Sequence, residues 1–288
     1  MPSLTLNIRA PAKLNLYLSV VGRRPDGYHL LETLMVKLDL ADSLVMTRRE
    51  AGISLRVNGA DLPSDKGNLV FQAAQAFFKA SGFLPGVELT LEKRIPVAAG
   101  LGGGSSDAAA ALKGLNELFG RPLNRERLAA IGLNLGADVP FFLYPGPAAW
   151  AKGIGERLHP ASPPPLYFLL VNPGWPLSTA WVFNNFKLKL TNRRVNHINF
   201  TVNERSFTNG QGLRNDLETV VLPRFPELAL IKKSLLEAGA LGTLMTGSGP
   251  TVFGVFSGPR DLDLACGYME KEGKEKWIVL PALPLSES

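Results

Sequence analysis

The sequence is poor in several things, and each shortage excludes a class of protein. It has one cysteine, Cys266, so no internal disulfide can form; the residues around it read as helix, and a buried, inert thiol is expected rather than a nucleophile. No apolar run approaches the ~20 residues of a membrane span. The first residues alternate Leu4, Leu6 and Ile8 with polar ones instead of forming a leader, so a cytoplasmic protein with no membrane partner is expected. Neither sign of charge is concentrated. The net charge of +6 comes from 31 basic and 25 acidic residues spread along the chain; with no basic block or aromatic-basic repeat, this favours small anions and argues against nucleic acid. No internal repeat is present. Apolar residues are plentiful, 45% of 288, enough for ordinary cores and, at this length, for two domains.

The most informative stretch is a glycine-rich turn, Gly100-Leu101-Gly102-Gly103-Gly104-Ser105-Ser106. Before it, Val87, Leu89 and Leu91 alternate with Glu88, Thr90 and Glu92, the period of a half-buried strand. After it, the spacing of Leu112, Leu115 and Phe119 predicts a helix over 107–119, with Gly120 and Pro122 as stop signals. Glycines let successive N–H groups converge on one point, and the open N-terminus of the helix adds donors and a positive dipole end. Together they suit phosphate. A flexible loop before a serine-capped helix is the plainer reading, but the strand-to-helix junction favours the anion site. It is not a Walker A loop, since no lysine lies between Lys93 and Lys113. The dinucleotide fingerprint wants glycine where Ser105 stands, and the protein-kinase His-Arg-Asp and Asp-Phe-Gly sequences are missing.

Along the rest of the chain, alternation predicts strands at 4–9 and 14–20. In the second, Leu14, Leu16, Leu18 and Val20 face one way, and Lys13, Asn15, Tyr17 and Ser19 share the other face. Lys13 reads equally as a solvated edge residue or a functional ammonium. Tyr28 and His29 follow the Arg24-Pro25-Asp26-Gly27 turn, either as loop packing or as groups that stack on and hydrogen-bond a base. Further strands are expected at 35–40, 53–57, 166–171, 241–245, 252–256 and 277–280. Helices are expected at 69–80 behind an Asn68 cap, at 124–135 behind Asn124, and at 178–186, 226–238 and 261–271. Asp138, followed by Val139-Pro140-Phe141-Phe142, is either a helix-end or turn cap or a carboxylate held for chemistry. Gly247-Ser248-Gly249-Pro250 is a second tight turn, a hairpin connection or a brace for the first. The polar, Asn-rich stretch 187–210 reads as an insertion or flap. A proline-rich connector at 161–165 divides the chain into domains 1–160 and 161–288.

Pro11-Ala12-Lys13-Leu14-Asn15-Leu16, the glycine turn and Gly247-Ser248-Gly249-Pro250 stand in the order and at the separations of the GHMP small-molecule kinases, and the chain resembles that superfamily. The Arg24 to His29 sequence, the Ser106-Asp107-Ala108-Ala109 extension, Gly136-Ala137-Asp138-Val139-Pro140-Phe141 and Asn215-Asp216-Leu217-Glu218 resemble the branch acting on 4-diphosphocytidyl-2-C-methyl-D-erythritol. The resemblance covers about 10–256. It implies an α/β (α+β) fold of two lobes with the active site in the cleft between them: a ribosomal-protein-S5-like N-terminal lobe, and a C-terminal lobe with an antiparallel sheet backed by helices.

Carried over by residue, the resemblance makes Asp138 the catalytic aspartate and Lys13 its partner. Pro96, Val97, Ala98, Ala99, Gly100, Leu101, Gly102, Gly103, Gly104, Ser105 and Ser106 would bind the phosphates of ATP, and Asn68 with Leu69 would face adenine. Tyr28 and His29 would hold cytosine, Asn15 the erythritol, and Thr179 with Phe183 would continue the substrate wall. Gly247, Ser248 and Gly249 would support the first turn. ATP is expected with Mg2+; the metal's protein ligand stays open, Ser106 and Asp138 being the nearest candidates. The implied partner is the small-molecule substrate alone, with monomer and homodimer both open. Other GHMP kinases, acting on mevalonate, homoserine or a sugar, lack a nucleobase for Tyr28 and His29 to read. A non-catalytic ligand sensor on the same fold would have lost Lys13 or Asp138.

Overall fold

In the computed structural model, residues 4–187, 207, 210, 212–273 and 276–286 are described. The two alternating runs expected at 4–9 and 14–20 are one strand, β1 (Thr5–Arg23). Pro11 does not interrupt it, because a fixed φ is tolerated in extended chain wherever no ladder N–H is needed. β2 (His29–Arg48) is as long and absorbs the strand expected at 35–40.

Contacts divide the chain into two compact units. One comprises Met1–Lys13, Asp39–Val97 and Gly102–Gly146; the other comprises Leu14–Leu38, Ala98–Leu101 and Pro147–Ser288. The units are thus interleaved, whereas the sequence reading draws a single boundary at 161–165. The physical reason is the length of β1 and β2, each of which contributes residues to both.

In the first unit, β4 (Gly86–Glu92) runs parallel to β3 (Gly52–Asn58), with Leu55 opposite Leu89. It runs antiparallel to the end of β2, with Leu44 opposite Leu91. α1 (Leu69–Ser81) starts as expected, since the Asn68 side chain accepts from the Val70 N–H, and Gly82 ends it in the left-handed region. α2 (Gly103–Leu118) packs against α1, α3 (Arg125–Leu135) and α4 (Val139–Leu143). Four consecutive buried alanines, Ala108 to Ala111, show that the middle of α2 is enclosed on all sides, while Lys113 and Glu117 further along it are exposed. Phe77, Leu44, Met46, Leu89, Leu112 and Leu115 are buried in this unit.

In the second unit, β5 (Ala148–Gly153) pairs antiparallel with the start of β2 and with β6 (Arg157–Pro160), and the two-residue β8 (Arg214–Asn215) lies parallel to β1 at Tyr17 and Leu18. A four-stranded antiparallel sheet has the order β11-β7-β10-β9, formed by β7 (Tyr167–Asn172), β9 (Gly242–Met245), β10 (Val252–Phe256) and β11 (Ile278–Ala282). Every residue of β10 is buried, as the centre of a covered sheet requires. α5 (Thr179–Asn185), α6 (Glu218–Arg224), α7 (Pro226–Glu237) and α8 (Pro259–Gly273) complete the unit. Leu228, Ile231 and Leu235 of α7, with Ala265 and Met269 of α8, share a core with Leu169, Val171 and Val252 of the sheet. This is the helix-backed antiparallel sheet that the resemblance implies.

Cys266 is half-buried on α8, and burial, then Glu270 and Asp263, push its thiol above the usual range, which keeps it protonated and unreactive. The expectation of an insertion or flap at 187–210 falls outside the described residues. Among the described residues no helix is long and apolar enough to cross a membrane.

Candidate active site

In the first unit, β4 leads through Lys93 and Ile95 to Pro96 and Val97, and the chain re-enters at Gly102, the N-cap of α2. The helix starts at Gly103 rather than at the expected 107. Gly103, Gly104, Ser105 and Ser106 are therefore its first turn, with the Ser106 N–H bonded to the Gly102 carbonyl at 2.9 Å. Its N-cap residue is a glycine, which has no side chain to cap it, so its leading N–H groups stay available to an anion. Gly102 has φ 72°, and a Cβ there would stand 2.9 Å from Cζ of Phe142 and 3.0 Å from Cγ of Lys13. Only glycine lets the lysine stem lie against the turn.

Lys13 is 3% exposed, which removes the reading of a solvated edge residue, and its Nζ stands 3.6 Å from Oδ2 of Asp138. Asp138 occupies the N-cap position of α4, yet its side chain makes no capping hydrogen bond. Of the two readings left open by the sequence, the cap is therefore lost, and the carboxylate faces the ammonium while staying 37% exposed. Ser106 Oγ is buried and has no hydrogen-bond partner among the described residues. An unpartnered hydroxyl on the first turn of an uncapped helix fits a phosphate oxygen or its counter-ion. Leu69 packs beside Gly104, where a Cβ would lie 3.5 Å from its Cδ1. The Asn68 amide is engaged elsewhere, accepting from Val70 and donating to the Pro63 carbonyl at 2.8 Å.

In the second unit, Ala99 and Gly100 pack against the second glycine turn and the residue that follows it. The Ala98 carbonyl accepts from the Leu177 N–H and that of Ala99 from the Thr251 N–H. Gly100 has φ 77°, and a Cβ there would collide with the backbone of Thr246 and Gly249. The second turn is thus both things proposed for it, a connection between paired β9 and β10 and a brace for the first turn. It is itself pinned. The Asn215 amide donates to the carbonyls of Met245 and Gly247 at 2.6 and 2.8 Å, and the Ser248 and Thr179 hydroxyls lie 2.7 Å apart.

Asn15 is buried. Its Nδ2 donates to Thr33 Oγ1 at 2.8 Å, and its backbone N–H donates to Thr246 Oγ1 at 3.0 Å. Thr33 and Thr246 carry no signal in the sequence, because nothing local marks a threonine as the partner of a distant amide. The His29 ring lies tilted over that of Phe183, 5.3 Å between centroids, and meets Phe186 edge-on at 5.9 Å. Burial, and then the neighbouring Arg23, hold its imidazole below the usual range, which favours the neutral, hydrogen-bonding form. Tyr28 is 60% exposed, an aromatic face left open to solvent.

The chain matches two family models and many known relatives. The model of the GHMP kinase N-terminal domain matches residues 68–146, and that of the GHMP kinase C-terminal domain matches residues 203–275. A 4-diphosphocytidyl-2-C-methyl-D-erythritol kinase of Syntrophotalea carbinolica is 48% identical over 252 residues, 86% of this chain and 88% of the relative. A protein of the same name from Geobacter sulfurreducens is 46% identical over 253 residues, 87% of this chain and 90% of the relative. A solved structure of 4-(cytidine 5'-diphospho)-2C-methyl-D-erythritol kinase superposes with a TM-score of 0.81 at 36% identity, covering 98% of this chain and 100% of the other. With its glycine turn, its ammonium–carboxylate pair and relatives alike over nearly their whole length, the chain belongs to the 4-diphosphocytidyl-2-C-methyl-D-erythritol kinase family of the GHMP kinases.

Proposed function

We infer that the chain transfers the γ-phosphoryl group of ATP to the 2-hydroxyl of 4-diphosphocytidyl-2-C-methyl-D-erythritol, a step of the non-mevalonate route to isoprenoid precursors. The observation that carries the chemistry is the Lys13–Asp138 pair, held at 3.6 Å with the lysine stem against Gly102. Phosphoryl transfer has a loose transition state with charge on the equatorial oxygens, so positioning and charge stabilisation do most of the work. The open N–H groups of the turn and the Ser106 hydroxyl suit the ATP phosphates. A tertiary alcohol is almost un-ionised at neutral pH, and Asp138, the exposed member of the pair, would accept its proton as attack proceeds. Lys13 would place positive charge beside the developing alkoxide.

Mg2+ arriving with ATP would supply positive charge to offset that of the phosphates. Among the described residues no group of three or more His, Cys, Asp or Glu side chains gathers to hold a metal. The donors that fit are the unpartnered Ser106 hydroxyl and the Asp138 carboxylate. On the acceptor, Tyr28 and His29 would stack on and hydrogen-bond the cytosine, with Phe183 behind the imidazole; Asn15 would hold the erythritol and Thr179 would continue the wall.

The test is Asp138→Asn. Turnover is expected to fall by ~10² to 10⁴, while the affinity for ATP, measured by calorimetry, stays at the wild-type value. An active variant would remove Asp138 from the mechanism.

A further inference from the structure

The mechanism leaves unused a buried cluster of three ionisable side chains in the first unit. Asp42 on β2 is fully buried, and the side chains of Lys93 and Asp107 are each 4% exposed. Lys93 Nζ donates to Asp42 Oδ2, and to Asp107 Oδ2 at 2.7 Å. The second oxygen of Asp42 accepts two successive backbone N–H groups, from Arg94 at 2.5 Å and Ile95 at 2.9 Å. Lys93 Nζ also fills the space beside Gly103, 3.2 Å from where a Cβ would stand.

These contacts join particular places. Arg94 and Ile95 are the residues that deliver the chain to Pro96, where the glycine turn begins. Gly103 and Asp107 belong to the first turns of the helix that leaves it. The exit of β4 and the start of α2 are thereby tied through one ammonium, with the end of β2 as anchor. Buried ion clusters are a weak source of stability, since apolar side chains of the same volume often serve as well. What they supply is fixed direction, through several charge-assisted hydrogen bonds at one point.

We infer that Asp42, Lys93 and Asp107 are positioning residues for the nucleotide: they set the distance between the two ends of the glycine turn, and so the aim of its N–H groups at the triphosphate. The inference rests on the reading of 96–106 as the ATP turn. An error of ~1 Å in such positioning is enough for losses near a hundredfold.

The experiment measures binding of Mg2+ with the β,γ-imido analogue of ATP by calorimetry, beside binding of the diphosphocytidyl acceptor, with circular dichroism reporting the fold. Asp107→Ala cuts the tie and is expected to weaken the analogue by roughly ten- to a hundredfold, leaving the acceptor's affinity as in wild type. Asp107→Asn keeps an oxygen facing Lys93 and should restore most of the binding. Should Asp107→Ala fail to fold, Asp42→Asn carries the same expectation: it can keep the two backbone bonds while an amide NH2 opposes the ammonium. Unchanged analogue binding in either folded variant overturns the proposal. So do equal losses for analogue and acceptor, no rescue by Asp107→Asn, or failure of both Asp107→Ala and Asp42→Asn to fold. A wild-type protein that does not bind the analogue would instead refute the ATP reading itself.

Discussion

Tyr28 and His29 follow the same tight turn, yet their surroundings differ, and the proposed function gives them different work. The open face of Tyr28 suits stacking on a base, a contact worth ~1 to 3 kcal/mol by alanine substitution. Tyr28→Ala should therefore raise the KM for the cytidylated acceptor by roughly ten- to a hundredfold and leave that for ATP unchanged; an equal rise in both, by steady-state kinetics, would refute the assignment. His29 lies beside Phe183 with its pKa lowered from the ordinary 6.5 by burial and then by Arg23. A depressed imidazole stays neutral to lower pH than a free one. The acceptor KM should accordingly stay level as pH falls through 6.5 and rise only below it; a rise centred on the ordinary value would contradict the role. Motif spacing singles out Lys13, Asp138, Tyr28 and His29 as candidates, but contacts between residues far apart in sequence leave no such mark. Asp42 and Lys93 lie 51 residues apart in sequence, and their meeting is decided by which strand pairs with which.

At the level of the element, α2 carries the heaviest demands. Its N-cap is glycine with φ 72°, a conformation that costs other residues about 1 to 2 kcal/mol, before any collision with Phe142 and Lys13 is counted. Gly102→Ala should lower the melting temperature and weaken ATP together, whereas Gly120→Ala, with positive φ but nothing near a Cβ, should cost stability alone. Binding intact in a folded Gly102→Ala would separate the turn from the nucleotide. One turn and a half into α2, Asp107 is raised to about 7, chiefly by burial and also by Asp42, against the opposing pull of Lys93. Its folded pKa exceeds its unfolded one, so the native state holds a proton that the unfolded chain has released. Its contribution to stability is complete below the unfolded value of 3.8 and is lost as pH rises through about 7. Asp107→Asn should flatten this part of the decline in chemical-denaturation profiles between the two values, from 3.8 to about 7; parallel wild-type and variant profiles would contradict it.

Strand–turn–helix order was legible here, but the start of α2 was not, because glycine and serine in a first helical turn resemble a loop. β5 escaped because Ala148, Ala149 and Ala151 give no contrast between faces, β6 because the four residues Arg157–Pro160 are too few to show a period, and α6 because Pro223 lies inside it.

Over the whole molecule, the order of elements could be read but not the way they divide into units. Composition marks the proline-rich connector at 161–165, whereas packing follows β1 and β2 through both units. Such interleaving leaves no local trace, since a strand entering a second unit looks like a strand continuing in the first. Function at this scale is the choice of acceptor, and a nucleobase is what separates the proposed acceptor from those of other small-molecule kinases. The most direct measurement is an ATP-consumption assay offering 4-diphosphocytidyl-2-C-methyl-D-erythritol, mevalonate, homoserine and galactose in parallel, with the products identified by phosphorus NMR. Phosphorylation of the diphosphocytidyl compound alone, at its tertiary 2-hydroxyl, is the predicted result; turnover of any of the other three in preference to it, or of none of the four, would contradict the account.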